Sequence, residues 1–199
     1  MQYLIEHNFL SESWLDFIRA EIRKFEGKLS REGYDNSPTM RDKLDPRTAE
    51  TAYIDKKNLL HSMWSTLFWD RMEERMWSSE DGALKHATYT RAGATLLSSY
   101  KDGDKYGYHV DVDLDCIVTA VLMISLTEEP QFTGGDLVLG DSVEKFENNK
   151  LIVFPSCTNH AVTEVSMTSD EFKDRRFTLQ HFISSVPHRT VFPDESNTK

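Results

Sequence analysis

The first part of the chain carries apolar positions at the spacing of amphipathic helices. After the candidate N-caps Ser11 and Ser13, apolar residues recur every three or four positions, at Trp14, Ile18, Ile22, Phe25 and Leu29. A second stripe of the same period predicts a helix over about 57–77. The polar stretch between the two stripes, residues 30–56, contains two prolines and predicts an irregular connection.

Beyond Gly82 the apolar period changes to that of β-strands. Short β-favouring runs, separated by Gly, Pro, Asn or Asp clusters, occupy residues 92–100, 116–126, 136–139, 151–154, 161–165 and 176–183. Helices followed by many short strands predict an α+β, mainly β fold, in which the helices cover one face of a sandwich, barrel or jelly roll. Without an internal repeat or a flexible linker, the sequence predicts one domain over 1–199, with helical support over about 1–80 and a β core over about 83–186.

Composition is that of an ordinary globular protein and excludes several classes of function. The chain is 39% hydrophobic and 28% charged. Its formal net charge of −10, without a Lys/Arg run, argues against a nucleic-acid partner. The first residues lack the pattern of a secretory signal, and the apolar stretches are too short to cross a bilayer. We therefore expect a soluble, cytoplasmic protein with no membrane partner, and we expect its two cysteines, Cys116 and Cys157, to be buried, inert thiols.

His109 and Asp111 are the first candidates for chemistry. Residues two apart on an extended strand point to the same side, about 6–7 Å apart at Cα, so the two side chains can converge on one ion. A His-x-Asp triplet alone is weak evidence, but His160 follows an apolar strand and a turn and supplies a second imidazole. Two imidazoles and one carboxylate bind non-haem Fe(II) on one face and leave the other positions open, as oxygen chemistry requires. Each histidine taken alone is equally typical of the surface or of a hydrogen-bonded core.

Arg176 and Thr178 are the second pair of candidates. They lie two apart on a predicted strand that is buried on one side. A planar guanidinium with a nearby hydroxyl suits a dicarboxylate, because it can bind one carboxylate in bidentate fashion while the other end chelates the metal. The competing interpretation is an exposed arginine on an edge strand.

In their order along the chain, these features resemble the 2-oxoglutarate/Fe(II) oxygenases and, within them, the prolyl-4-hydroxylase-like branch. The resemblance covers about residues 94–184. It rests on four pieces: a strand ending in Tyr100, with Gly103 after it, and then His109-Val110-Asp111; the apolar strand 117–126; Gly134-Gly135-Asp136-Leu137; and residues 151–155 leading to His160 and then to Arg176-Phe177-Thr178.

The resemblance implies a double-stranded β-helix, which is a distorted jelly roll, with Fe(II) held by His109, Asp111 and His160. It assigns the cosubstrate 2-oxoglutarate to Arg176, with Thr178 beside it and Tyr100 as a further hydrogen-bond donor. Such an enzyme converts 2-oxoglutarate and O2 to succinate and CO2 while it hydroxylates an unactivated C–H bond, and ascorbate is a candidate reductant. The branch favours a prolyl residue in a peptide or protein substrate.

The carboxylate partner stays open between three basic residues. Arg176 lies sixteen positions after His160, a longer spacing than is usual in this branch. Arg175 or Lys173 is therefore an alternative partner, although strand alternation with Thr178 favours Arg176.

Two further features depart from the branch or have a simpler interpretation. Some relatives carry a tyrosine in the strand after the metal pair, where this chain has an aliphatic residue near Leu122; Tyr106 and Tyr108 are possible substitutes, or they line a substrate entrance. The Gly134-Gly135-Asp136 step is expected to serve mainly as a turn that leads into a strand.

Other functions remain compatible with the same residues. A hydroxylase of a free amino acid or another small molecule would use the same iron site. A non-catalytic jelly-roll binding module would not need the metal set and Arg176 together. A cupin-like metal-binding protein would leave Arg176 without a purpose.

Overall fold

The structure is a computed structural model that describes residues 3–31, 47–91, 93–111 and 115–185. Its helices are α1 (Glu12–Arg23), α2 (Leu59–Ser78) and α3 (Gly82–Thr90). Its strands are β1 (Leu4–Glu6), β2 (Glu50–Ile54), β3 (Gly93–Tyr100), β4 (Tyr106–His109), β5 (Cys116–Ser125), β6 (Phe132–Gly134), β7 (Leu137–Leu139), β8 (Ser142–Glu144), β9 (Lys150–Pro155), β10 (His160–Val162), β11 (Val165–Met167) and β12 (Arg176–Ser184).

The strands form antiparallel sheets that enclose an inner core. The larger sheet has the order β1-β9-β5-β12-β3-β2, and a four-stranded sheet has the order β4-β10-β7-β8. In the larger sheet β12 lies between β3 and β5, with Arg176 opposite Tyr100 on one side and Ser125 on the other. The predicted mainly β jelly roll with helices on one face is confirmed.

Strand alternation divides the larger sheet into a helix-facing side and an inner side. On β12, Phe177, Leu179 and Ile183 pack in one apolar cluster with residues of α1, α2 and α3. The even-numbered positions point the other way, so the Gln180 side chain accepts a hydrogen bond from Ser98 within the inner core. Arg176 therefore lies on the inner side of the sheet.

The structure corrects several predicted boundaries. Helix α3 begins where the β core was predicted to begin, and Asp81 caps it by accepting hydrogen bonds from the Ala83 and Leu84 amides. The predicted strand 161–165 is instead divided between β10 and β11. Strand β2 lies within the connection that was predicted to be irregular, and residues 32–46 of that connection lie outside the described residues. Among the described helices, none has both the length and the apolar character needed to span a membrane.

His181 is a buried titratable group between β12 and the helices. Its side chain packs against Phe68, with the ring centroids 5.4 Å apart. The Thr95 hydroxyl lies 3.5 Å from its Nδ1 and 2.8 Å from Nδ1 of His61. Burial, reinforced by the neighbouring His61, lowers the pKa of His181 to about 3. His181 is therefore neutral in the folded protein at neutral pH.

We expect this histidine to make the folded state acid-sensitive. The folded pKa lies below the unfolded value of about 6.5, so the unfolded chain takes up the proton first as the pH falls. The contribution of neutral His181 to the free energy of unfolding is complete above pH 6.5 and is lost progressively as the pH falls toward about 3. Denaturant unfolding at several pH values should show a shallower decline for His181→Gln than for the parent. Equal slopes would contradict the assignment, and the exposed His86→Gln serves as control.

Candidate metal centre and its anion pocket

Three side chains converge where strands β4 and β10 of the smaller sheet pair. His109 ends β4, Asp111 follows two residues later, and His160 opens β10 directly opposite His109. The Asp111 carboxylate lies 3.5 Å from Nε2 of His109 through Oδ1 and 3.3 Å from Nε2 of His160 through Oδ2. The ligand atoms of the three residues all lie within 4.8 Å of one another. The structure thus brings His160 together with His109 and Asp111, which lie 51 and 49 positions before it in the sequence.

Backbone carbonyls fix how the two imidazoles present their nitrogens. Nδ1 of His109 lies 2.9 Å from the Gly107 carbonyl oxygen, and Nδ1 of His160 lies 2.9 Å from that of Thr158. A carbonyl oxygen only accepts, so each Nδ1 carries the hydrogen and each Nε2 keeps its lone pair. Both lone pairs are therefore available to a metal, in the orientation that outer hydrogen bonds impose on ligating histidines.

The protonation states of this cluster suit a cation. Burial lowers the pKa of His109 to about 4, against the opposing effect of the Asp111 carboxylate. Burial alone would raise the pKa of Asp111, but the adjacent His160 and His109 hold it below its ordinary value. At neutral pH the site thus contains an ionised carboxylate and a neutral His109, as metal ligation requires.

The hydroxyl groups of Thr119 and Ser156 form a hydrogen-bonded chain that holds the Asp111 carboxylate in place. The Thr119 hydroxyl donates to Oδ2 of Asp111 over 2.8 Å and lies 2.9 Å from the Ser156 hydroxyl. The Asp111 amide donates to the Ser156 carbonyl oxygen over 2.9 Å. The Cys116 thiol lies 2.9 Å from the Ser156 hydroxyl, and burial raises its pKa to about 12. Cys116 is the buried, inert thiol that was expected, whereas Cys157 is exposed, contrary to the prediction.

Arg176 is completely buried on the inner side of β12. Its Nε donates to the Gly135 carbonyl oxygen over 2.7 Å, and its guanidinium carbon lies 4.6 Å from the Tyr100 ring centroid. Among the described residues, neither Nη1 nor Nη2 has a hydrogen-bond partner, and the buried Thr178 hydroxyl also lacks one. Three orphaned polar groups on one side of a strand indicate an anionic ligand, because buried polar groups are nearly always satisfied.

Among the described residues, no carboxylate forms a hydrogen-bonded ion pair with the Arg176 guanidinium. Burial lowers the pKa of Arg176, and the influence of Tyr100 and Asp136 opposes that shift. Asp136 already accepts hydrogen bonds from the Lys145 ammonium and the Phe146 amide. Since an arginine does not lose its proton in proteins, the pocket keeps a positive charge that a carboxylate can pair.

The two alternative basic residues are engaged elsewhere. Arg175 donates to the Glu50 carboxylate over 2.8 Å. Lys173 forms an ion pair of 2.5 Å with Glu171 near the surface. Arg176 alone of the three has its side chain on the inner side of the sheet.

The Gly134-Gly135 step does more than turn the chain. Both glycines have positive φ, of 72° and 66° respectively. A Cβ on Gly135 would lie 2.5 Å from Cδ of Arg176, and one on Gly134 would lie 2.1 Å from the Glu164 carbonyl oxygen. The interpretation as a simple turn was therefore incomplete, because glycine here also lets the arginine pass close to the backbone.

The tyrosines near the metal ligands have different environments. Tyr106 is buried and stacks on His109, with the ring centroids 3.6 Å apart, so it supports the ligand and does not line an entrance. Tyr108 is 57% exposed. Leu122 packs on the helix-facing side, while its neighbours Val121 and Met123 lie in the inner core. The aliphatic residue near the site is therefore not Leu122 itself.

Comparison with known families accounts for this combination of residues. Residues 95–184 match the model of the 2OG-Fe(II) oxygenase superfamily. The match covers a little under half of the chain, and it lies on the part that resembles this superfamily in sequence. Members of that superfamily use Fe(II), 2-oxoglutarate and O2, and the donor set of the three converging residues fits the iron. No curated protein matches the sequence significantly.

Solved structures share the fold of this chain at low sequence identity. A prolyl-4-hydroxylase from Pseudomonas putida is 20% identical over 92% of each chain, with a TM-score of 0.65. A prolyl hydroxylase from Trichoplax adhaerens, solved with a peptide fragment of the hypoxia inducible factor oxygen degradation domain, is 17% identical over 92% of this chain and 83% of its own, with a TM-score of 0.64. OsALKBH1 is 11% identical over 90% of this chain and 97% of its own, with a TM-score of 0.60.

Proposed function

We propose that residues 1–199 work as one Fe(II)- and 2-oxoglutarate-dependent dioxygenase domain that hydroxylates a prolyl residue in a peptide or protein. The observation that carries this proposal is the buried Arg176 guanidinium, whose two terminal nitrogens have no partner among the described residues and which lies in the same β-roll as the three candidate metal ligands. In a metal-binding module that does not bind 2-oxoglutarate, the buried guanidinium would destabilise the fold through its desolvation, and no ligand carboxylate would compensate for it.

His109, Asp111 and His160 are the proposed iron ligands. The two histidines would ligate through Nε2, because each Nδ1 faces a carbonyl oxygen. Asp111 would ligate through its carboxylate while Thr119 holds Oδ2. Iron bound there would supply the oxygen chemistry that couples conversion of 2-oxoglutarate and O2 to succinate and CO2 with hydroxylation of a C–H bond.

Arg176, Thr178 and Tyr100 are the proposed cosubstrate residues. The two terminal nitrogens of Arg176 can donate to both oxygens of the distal carboxylate, and the Thr178 hydroxyl can donate beside them. Thr178 on β12 pairs with Met123 on β5. Met123 lies four residues along β5 from Thr119, whose hydroxyl contacts the candidate metal ligand Asp111. Four residues of strand span about 13 Å, which a five-carbon dicarboxylate bridges when side chains reach toward it from both ends.

The pocket also restricts water. His109, His160 and Arg176 are 6%, 5% and 0% exposed. With the cosubstrate bound, these residues hold the reacting groups in a largely dry, polar enclosure, where charge interactions are strong and side reactions with water are reduced.

A peptide substrate is supported by the surface beside the metal cluster. The exposed Tyr108 and Val110 lie on either side of His109 in the chain. An aromatic and an aliphatic side chain at the rim suit an apolar prolyl ring. The net charge of −10 disfavours a polynucleotide at this site.

The test is a turnover assay with proline-containing peptides, Fe(II), 2-oxoglutarate and ascorbate. We expect equimolar succinate and a product heavier by one oxygen atom, located on proline by fragmentation. The same peptides with alanine in place of proline should give little product. Oxygen incorporation into free amino acids but into none of the peptides would overturn the peptidyl assignment in favour of a small-molecule hydroxylase.

We expect Thr119→Val to weaken iron binding about tenfold or more, which is the usual cost of losing an outer-shell partner of a metal ligand. Valine keeps the shape of threonine but removes the donor to Oδ2 of Asp111. Competition with a coloured chelator measures the change under anaerobic conditions. Thr119→Ser, which keeps the hydroxyl, should restore most of the affinity, and equal affinity in valine variant and parent would contradict the role.

A further inference from the structure

A surface cleft lies directly behind the anion pocket. The cleft has a volume of about 240 Å³ and is lined by Phe132, Gly134, Asp136, Lys145 and Phe146, among others. Gly134 and Asp136 flank Gly135, whose carbonyl oxygen accepts the hydrogen bond from Nε of Arg176. The Phe146 ring centroid lies 5.8 Å from the Arg176 guanidinium carbon. A single layer of residues therefore separates the cleft from the buried arginine.

Phe146 is held in this layer by three contacts. Its amide donates to Oδ1 of Asp136 over 2.9 Å. The Lys145 ammonium donates to Oδ2 of the same carboxylate over 2.7 Å, so both carboxylate oxygens anchor the segment that carries the ring. The Phe132 ring packs edge-on against Phe146, with centroids 4.7 Å apart. Phe146 lies outside the strands, so these contacts fix its position.

Two aromatic rings lie near the guanidinium, with centroids 4.6 Å (Tyr100) and 5.8 Å (Phe146) from its carbon. Because Gly135 occupies Nε, only the Nη1 and Nη2 end of the fork is available to a ligand. A dicarboxylate whose 2-oxo acid end chelates a metal at His109, Asp111 and His160 must place its far carboxylate at the Nη1 and Nη2 end of the guanidinium. A longer chain would have to displace an aromatic ring or pull away from the metal.

We propose that Phe146, held by Asp136, is the end wall of the cosubstrate pocket and determines the length of 2-oxo dicarboxylate that the site accepts. This inference rests on the proposed function. Removing the ring would join the pocket to the cleft behind it, and the space released would admit one more methylene group.

The experiment compares 2-oxoglutarate with 2-oxoadipate, which is one methylene longer. Each acid is titrated anaerobically into the Fe(II)-loaded protein, and binding is followed by the visible charge-transfer band of the chelated 2-oxo acid. The parent should bind 2-oxoadipate at least about tenfold more weakly than 2-oxoglutarate, as is typical for one misplaced methylene. Phe146→Ala should reduce that ratio to about threefold or less, by weakening 2-oxoglutarate and strengthening 2-oxoadipate.

Matched variants separate a wall from a general packing effect. Phe146→Tyr should keep the parent ratio because the ring remains. Phe17→Ala removes another partly buried phenylalanine, on α1, and should also keep the ratio. If Phe146→Ala does not fold, Phe146→Leu tests the same wall with a smaller deletion and should shift the ratio in the same direction. Asp136→Asn removes the ion pair with Lys145 and should shift it partway.

Two failures are distinguishable. A parent that shows no band with 2-oxoglutarate would refute the proposed function. A parent that shows the band, with Phe146→Ala and Phe146→Leu keeping the parent ratio, would refute the end wall and leave the proposed function intact.

Discussion

His160→Ala is expected to abolish the visible band of chelated 2-oxoglutarate at every cosubstrate concentration. The variant loses one of two imidazoles whose Nε2 atoms converge with Asp111. Because the loss of only an outer-shell partner costs up to about 100-fold in metal affinity, loss of a ligand should cost more. Anaerobic chelator competition measures the affinity, and absorbance measures the band.

His86→Ala is the control for that variant. His86 is exposed on α3, away from the cluster, so its removal changes the histidine count without touching the site. Its band and iron affinity should equal those of the parent. A His160→Ala protein that still shows the parent band would exclude His160 as a ligand.

Arg176→Met is expected to weaken 2-oxoglutarate binding by at least about 100-fold while iron binding stays near the parent value. Two hydrogen bonds to a charged group contribute about 1.5 kcal/mol each, and their loss lowers the affinity about 100-fold. Methionine fills much of the same space, and the titration of the visible band measures the change directly.

Arg176→Met is expected to weaken cosubstrate binding without lowering the free energy of unfolding of the cosubstrate-free protein. In the protein without cosubstrate, Arg176 is a buried charge whose terminal nitrogens have no hydrogen-bond partner in the described part of the chain. Replacing such a charge with an apolar side chain is often neutral or stabilising. We therefore expect Arg176→Met to unfold no more easily than the parent without 2-oxoglutarate, and to lose the stabilisation that the cosubstrate gives the parent.

Arg175→Met is the matched control, because it removes the neighbouring arginine and its ion pair with Glu50. It should keep the parent affinity for 2-oxoglutarate. If Arg175→Met loses affinity and Arg176→Met does not, the carboxylate partner is Arg175, and the orphaned nitrogens of Arg176 need another explanation.

The larger part of this fold could be predicted from periodicity. The strands that form the centre of the larger sheet are apolar runs bounded by turn residues, and they were placed to within a few residues. Helix α3 was missed because it is only nine residues long and threonine-rich, so its cap at Asp81 matters more than its apolar pattern. Strand β2 was missed because it lies in a polar connection and is stabilised by pairing with β3.

The convergence of the candidate metal ligands could be anticipated because it depends on local rules. Alternation places His109 and Asp111 on one side of an extended chain, and a turn after an apolar strand presents His160. His109 lies opposite His160 because of the β4–β10 register, and no short-range sequence pattern encodes that register. The resemblance to a known family implied that the three residues share one metal, without giving that register.

The supporting residues could not be found in the same way. Thr119 carries one signal, since it is the only polar residue in the run 117–124. Ser156 and Phe146 carry none, because their contacts with Asp111 and Arg176 arise from long-range packing of segments between strands. Sequence patterns indicate the groups that carry charge, whereas the groups that hold them become visible only in the folded protein.

The central claim is that one iron and one 2-oxoglutarate bind together in the β-roll. The most direct measurement is an anaerobic titration of Fe(II) and then 2-oxoglutarate into the metal-free parent, followed by visible absorbance. The account predicts a charge-transfer band that appears only when both are present and saturates at one equivalent of each. A protein that binds Fe(II) at these residues but shows no band at saturating 2-oxoglutarate would contradict it and favour a metal-binding jelly roll without oxygenase chemistry.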